Sequence, residues 1–191
     1  MNLSNFFNHL NITNLTDLID SDTKKPSKAY EEFISKQPHI SGVISKNLFG
    51  IFDKKDYSSS ELTLNFFADK PLKETDEKII VTFSDKEKKN QFVLFTFDSN
   101  SMKLTFDNSC SDLNGISQND TQSTDSNFIS VSDNKSKPIS LKFIFDNDSF
   151  IAFINNGEST FTGNFKLQKK ARSIKIDTTI TRGLQFKIVK L

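Results

Sequence analysis

The chain has 191 residues and suits one domain, or one domain with a short appendage. Its 25 Lys and Arg balance 24 Asp and Glu to a net charge of +1, which excludes a polyanion binder driven by bulk charge. A lone cysteine, Cys110, excludes an internal disulfide framework and any multi-cysteine zinc site. Only Arg172 and Arg182 are arginines, Trp is absent and Tyr occurs twice, so guanidinium forks and stacking platforms are scarce.

Residues 1–40 read as a partly helical segment. Leu3, Phe6, Phe7 and Leu10 follow helical spacing, as do Leu15, Leu18 and Ile19. Pro26 breaks the pattern, Ser27 then caps a short helix carrying Tyr30, Phe33 and Ile34, and Pro38 stops it. This N-terminus has neither a basic start nor a long apolar run, so a signal peptide is not expected, and a soluble, cytoplasmic protein is.

From about residue 41 the apolar period becomes two. Residues 61–67, 78–84, 91–97, 102–107, 127–131, 139–146 and 149–155 are β-type runs, and ESTFTG, SIKID and LQFKIVK continue the series. Asp/Asn/Ser/Gly turns separate them. This rhythm predicts an all-β fold over 41–191, an antiparallel two-sheet β-sandwich of jelly-roll or concanavalin-like type. Asn147-Asp148 and Asn156-Gly157 are the expected tight turns of two hairpins. Residues 108–126 form a long polar loop.

Chemistry is hard to find. His9 and His39 are the only imidazoles and lie far in sequence from Cys110, so no thiolate pair is expected. No phosphate loop, nucleophile elbow or zinc helix is present. Asp146, Asn147 and Asp148 suggest a calcium loop, yet Ile151 and Gly157 stand where an EF-hand needs Gly and Glu. A hairpin turn explains them better, and no metal or cofactor is expected. The basic run Lys166, Lys169, Lys170, Arg172 and Lys175 reads as a solvated strand and loop.

One stretch goes beyond β rhythm. ISLKFIFDNDSFIAFINNGESTFTG, residues 139–163, resembles the closing hairpin of the C-terminal sandwich of glycoside hydrolase family 32. Leu141, Asp146, Ser149, Phe153, Asn155, Gly157, Glu158 and Thr162 match that family's pattern in register. Leu104, Asp107 and Ser109 match its strand ending in Asp-Arg-Ser, and ELTLNF matches its first sandwich strand. The resemblance spans residues 60–191 and departs at Asn108 and Asn147, where the family has Arg, and at Ile151, where it has Glu. The segment from Lys36 to Asn47 reads as a degenerate linker to a preceding domain.

The resemblance implies a non-catalytic sandwich with a structural or interaction role towards a fructan- or sucrose-hydrolysing domain. The family's propeller motifs (W-x-N-D-P-N-G, R-D-P and E-C) do not occur here, so the chain alone is not expected to be an enzyme. Partners would be a β-propeller glycosidase domain or a second copy, with neither nucleic acid nor membrane involved. Two alternatives stand beside this. In one, the chain is part of a split or truncated sucrose-6-phosphate hydrolase. In the other it is a levan-binding module like carbohydrate-binding module family 66, with Asp107, Asn108, Asp146, Asn156 and Glu158 as sugar-binding residues.

Overall fold

Residues of one parity in each run are apolar, and burying that parity brings two sheets face to face. The computed structural model describes residues 15–46, 48–67, 76–101, 103–110, 139–155, 159–168 and 171–191. In chain order these hold a 3-10 turn (Leu15–Leu18), helix α1 (Lys28–Ser35) and strands β1 (His39–Ile44), β2 (Gly50–Phe52), β3 (Ser59–Phe66) and β4 (Lys78–Asp85). There follow β5 (Phe92–Asp98), β6 (Lys103–Asp107), β7 (Ile139–Asp146), β8 (Ser149–Ile154), β9 (Ser159–Asn164), β10 (Arg172–Thr178) and β11 (Leu184–Lys190). One sheet has the order β1-β11-β3-β7-β8-β9, the other β2-β10-β4-β5-β6. Every pairing in both is antiparallel.

Leu62 and Leu64 of β3 and Leu141, Phe143 and Phe145 of β7 meet Ile79, Val81 and Phe83 of β4 and Val93, Phe95 and Phe97 of β5 in the buried layer between the sheets. Phenylalanine dominates this layer because its rings interlock: Phe83 stacks on Phe145 at 4.2 Å, and Phe95 meets Phe150 edge-on at 4.7 Å.

Strand β8 is buried along both faces, which a two-layer sandwich does not explain. Its outer residues Ile151 and Phe153, with Ile144 and Val189, are covered by Leu15, Leu18, Tyr30, Phe33 and Ile34 of the N-terminal segment. Each such side chain stabilises the layer by roughly 1.5–3 kcal/mol. Helix α1 starts where expected: the Tyr30 N–H donates to Ser27 Oγ at 3.3 Å. The spacing of Leu15 and Leu18 produces only a 3-10 turn, and Leu3, Phe6, Phe7 and Leu10 lie outside the described residues.

The hairpin at Asn147 is present, with φ of 55° and Asp146 paired to Ser149. At the second hairpin a positive φ, 47°, falls on Asn155, while Asn156-Gly157 and the run 127–131 lie outside the described residues. Two strands were not anticipated: β2, which pairs with β10, and β1, which falls within the Lys36 to Asn47 segment and pairs with β11 at six positions. Its sequence, HISGVI, shows no alternation because five of its six residues are exposed. No helix among the described residues is long and apolar enough to cross a membrane.

Candidate functional site

Register places the ends of many strands together. Asp146 pairs with Ser59 and Ser149, Arg172 with Asp85, and Asp107 with Leu94. Phe106 and Phe150, 4.7 Å apart across the sandwich, tie the Asp107 end of β6 to the Ser149 end of β8. Asp107, Asn108 and Asp146 therefore share one end of the molecule, drawn from opposite sheets. Asp107 is exposed and Asn108 buried. Asn155, by contrast, is held at the far end, where its N–H donates to the Ser140 carbonyl at 2.7 Å. The six residues of β8 put it about 20 Å away. Asn156 and Glu158 lie outside the described residues.

The shared end is organised by a residue that sequence reasoning assigned to solvent. Arg172 is 2% exposed and points inward with Ile174 and Ile176, whose parity on β10 it shares. That parity was the available signal. Its Nη2 donates to Asp148 Oδ1 at 2.9 Å, and its backbone N–H donates to Asp56 Oδ1 at 2.8 Å. The Tyr57 N–H donates to the Arg172 carbonyl, so residues 56–57 clasp the strand on both sides of its first peptide. Nε and Nη1 of Arg172 are enclosed and have no acceptor among the described residues. Thus an arginine from β10 stands at the Asp-Asn-Asp turn, where the resembled pattern carries its own at position 147.

The surrounding carboxylates differ in character. Desolvation is the largest influence on Asp56, yet the N–H groups of Arg172 and Ser58, with the Ser58 hydroxyl, together hold it below the usual carboxylate range. Desolvation pushes Asp146 above that range, opposed by the Ser59 hydroxyl, which donates to Oδ1 at 3.3 Å. Asp148 is half exposed. Asp85 is fully buried and caps the next turn by accepting the N–H groups of Glu87 and Lys88. No group of three or more His, Cys, Asp or Glu side chains suited to a metal ion exists among the described residues.

A second titratable cluster joins α1 to the sheet. Glu61 is 2% exposed, with Lys142 Nζ 4.0 Å from its Oε2 and 2.5 Å from Glu31 Oε1. Desolvation raises the Glu61 carboxyl above its ordinary range, against the pull of Lys142. Desolvation and the Glu61 charge likewise push the Tyr30 hydroxyl well up.

The exposed large apolar side chains gather elsewhere. Ile40 and Val43 lie on edge strand β1, Ile51 on edge strand β2, and Leu48 and Phe49 on the link between them. Phe67 follows β3 and its carbonyl accepts from Arg182 Nε. Lys175 sits over the Phe49 ring at 5.3 Å. The side of the sandwich where β1 and β2 are the edge strands among the described residues thus carries a group of exposed apolar side chains, Ile40 and Val43 at opposite parities of β1.

No family model matches the chain, and no curated protein does. Solved structures do match its fold. Exo-inulinase from Aspergillus awamori superposes with a TM-score of 0.62 at 15% identity, over 88% of this chain and 32% of its own. Sucrose-6-phosphate hydrolase from Lactobacillus gasseri gives 0.57 at 18% identity, over 88% and 30%. The Bombyx mori GH32 β-fructofuranosidase gives 0.54 at 12% identity, over 88% and 30%. The fold is that of a glycoside hydrolase family 32 β-sandwich. The chain spans about a third of the length of these hydrolases. At these identities the likeness is one of fold.

Proposed function

We propose that this chain is a non-catalytic β-sandwich module that packs against a fructan- or sucrose-hydrolysing catalytic unit. The observation that carries the reading is the exposed apolar group at Ile40, Val43, Leu48, Phe49 and Ile51, on a fold that covers one third of such hydrolases. Exposed apolar groups of this kind mark interaction surfaces on soluble domains. The fold matches support the choice of partner. The same surface serves a split hydrolase, in which activity returns only on assembly.

Affinity capture from the cells that make the protein, comparing the native chain with Val43→Lys and Phe49→Ser, tests this reading. It expects a glycoside hydrolase, identified by mass spectrometry, that the native chain retains and the variants lose. Capture of nothing, or of proteins indifferent to the substitutions, overturns it. Fructose released from sucrose or levan by the purified chain overturns the non-catalytic part.

A second reading, a fructan-binding module, draws support from Asp107, Asn108 and Asp146 lying at one end of the sandwich. Saturable binding of levan oligosaccharides by the purified chain is its test.

A further inference from the structure

Arg172 is a permanent cation held almost out of water with one ion pair, leaving Nε and Nη1 without acceptors among the described residues. A buried donor left unpaired is costly, so an arginine in this state calls for an oxygen that the described residues do not supply. The groups around it narrow what that oxygen belongs to. Asp148 pairs with Nη2, Asp56 accepts the Arg172 N–H, Asp85 lies directly opposite on β4, and Asp146 stands two residues from Asp148 across the turn.

Asp148 alone pairs with the guanidinium, and with Asp56, Asp85 and Asp146 at neighbouring positions the acidic groups at this end outnumber it, which disfavours an anion, while the guanidinium disfavours a cation. What fits both is a neutral group that accepts from Arg172 and donates to a carboxylate, which is what a hydroxyl does. Asp148 and Asp146 have acceptor capacity to spare: their Oδ2 atoms accept no hydrogen bond from the described residues. Ser149 and Asn164, hydrogen-bonded at 2.8 Å beside the turn, add neutral polar groups.

We propose that this end of the sandwich binds a neutral hydroxyl-rich molecule, a sugar ring or polyol, with Arg172 as donor and Asp148 and Asp146 as acceptors. Asp148 is the way in. It sits half exposed on a two-residue turn, and binding in this way requires its carboxylate to rotate outward so that a ligand oxygen reaches the guanidinium. The site rests on the reading of this chain as a carbohydrate binder and is independent of docking through the β1–β2 side.

Calorimetric titration of the whole chain with D-fructose, D-glucose and a short levan oligosaccharide tests it, to about 10 mM ligand, with tartrate as an anionic comparison. Saturable heat is expected with at least one sugar and none with tartrate. Arg172→Met and Asp148→Asn, each checked for cooperative unfolding, should each weaken binding by about tenfold or more, the size of one charge-assisted hydrogen bond. Fructose binding as tightly as the oligosaccharide assigns the site to a single ring, and oligosaccharide binding alone assigns it to a chain. Should Arg172→Met fail to fold, Asp148→Asn decides alone, since its side chain is half exposed. Heat undiminished in the variants overturns this site while leaving carbohydrate binding in place. Absence of heat with all three sugars overturns both, and tighter binding of tartrate overturns the ligand class.

Discussion

Replacing Glu61 by Gln should stabilise the protein at neutral pH, although it removes one half of an ion pair. Glu61 is 2% exposed and Lys142 stands 4.0 Å from it, in contact with Glu31 at 2.5 Å instead. At that separation attraction is about 4 kcal/mol at an effective dielectric constant of 20, while desolvation costs several kcal/mol per ion. The net charge effect is therefore close to zero or unfavourable, as the raised Glu61 pKa also indicates. Gln keeps the shape and can still accept the bond from the Thr63 hydroxyl, and Lys142 keeps Glu31 as its partner so that no charge is stranded; we therefore expect a gain on the order of 1 kcal/mol.

The sign with pH follows from the raised pKa. The folded state binds a proton at Glu61 more readily than the unfolded chain does. That contribution is full below the ordinary glutamate pKa and is lost as pH rises through the folded value. The advantage of the variant over the native chain should therefore grow from acidic to neutral pH. Lys142→Met is the counter-experiment. It strands Glu61 and should cost about 3–5 kcal/mol at neutral pH, recovering as pH falls. Urea unfolding across a pH series, with m constant, measures both. A Glu61→Gln protein no more stable than the native one, with a difference flat in pH, would refute the reasoning.

Three further outcomes are expected. Gly163→Ala places a Cβ 2.6 Å from the Phe150 ring, which is locked among Phe95, Phe106, Phe161 and Phe165, so thermal unfolding should show a loss of about 1–3 kcal/mol. Asn147→Ala forces alanine to φ of 55° and should cost about 1–2 kcal/mol by the same measurement, while Asn147→Gly should not. Val43→Lys alters a side chain 63% exposed and should leave unfolding free energy within about 0.5 kcal/mol, so any loss of partner capture by this variant is a surface effect.

Legibility followed burial. Runs such as ISLKFIFD and LQFKIVK keep one parity apolar towards the core and were readable to the residue as β7 and β11, although Ile144 and Val189 of the other parity are buried as well. Strand β1 was not readable, because an edge strand exposed on both faces imposes no alternation on its sequence. The candidate site divides in the same way. Motif likeness pointed to Asp107, Asn108 and Asp146, which the fold places at one end, while Arg172 was missed because it sits in a lysine-rich run whose charge suggested solvent. Only its shared parity with Ile174 and Ile176 marked it as inward.

By itself the sequence determined the all-β class, the positions of most strands, the capped helix and the likeness to a fructosidase sandwich. These rest on local periodicity, on turn residues and on motif matches. Tertiary structure alone decided that the N-terminal segment covers the outer face of β8, that Arg172 closes one end beside Asp148, and that the uncovered apolar groups share one side. Each depends on which strands become neighbours, and neighbours here are brought together across long gaps, 116 residues between Asp56 and Arg172 and 136 between Lys24 and Thr160. Periodicity records which face of a strand is buried; it holds no record of what is buried against it.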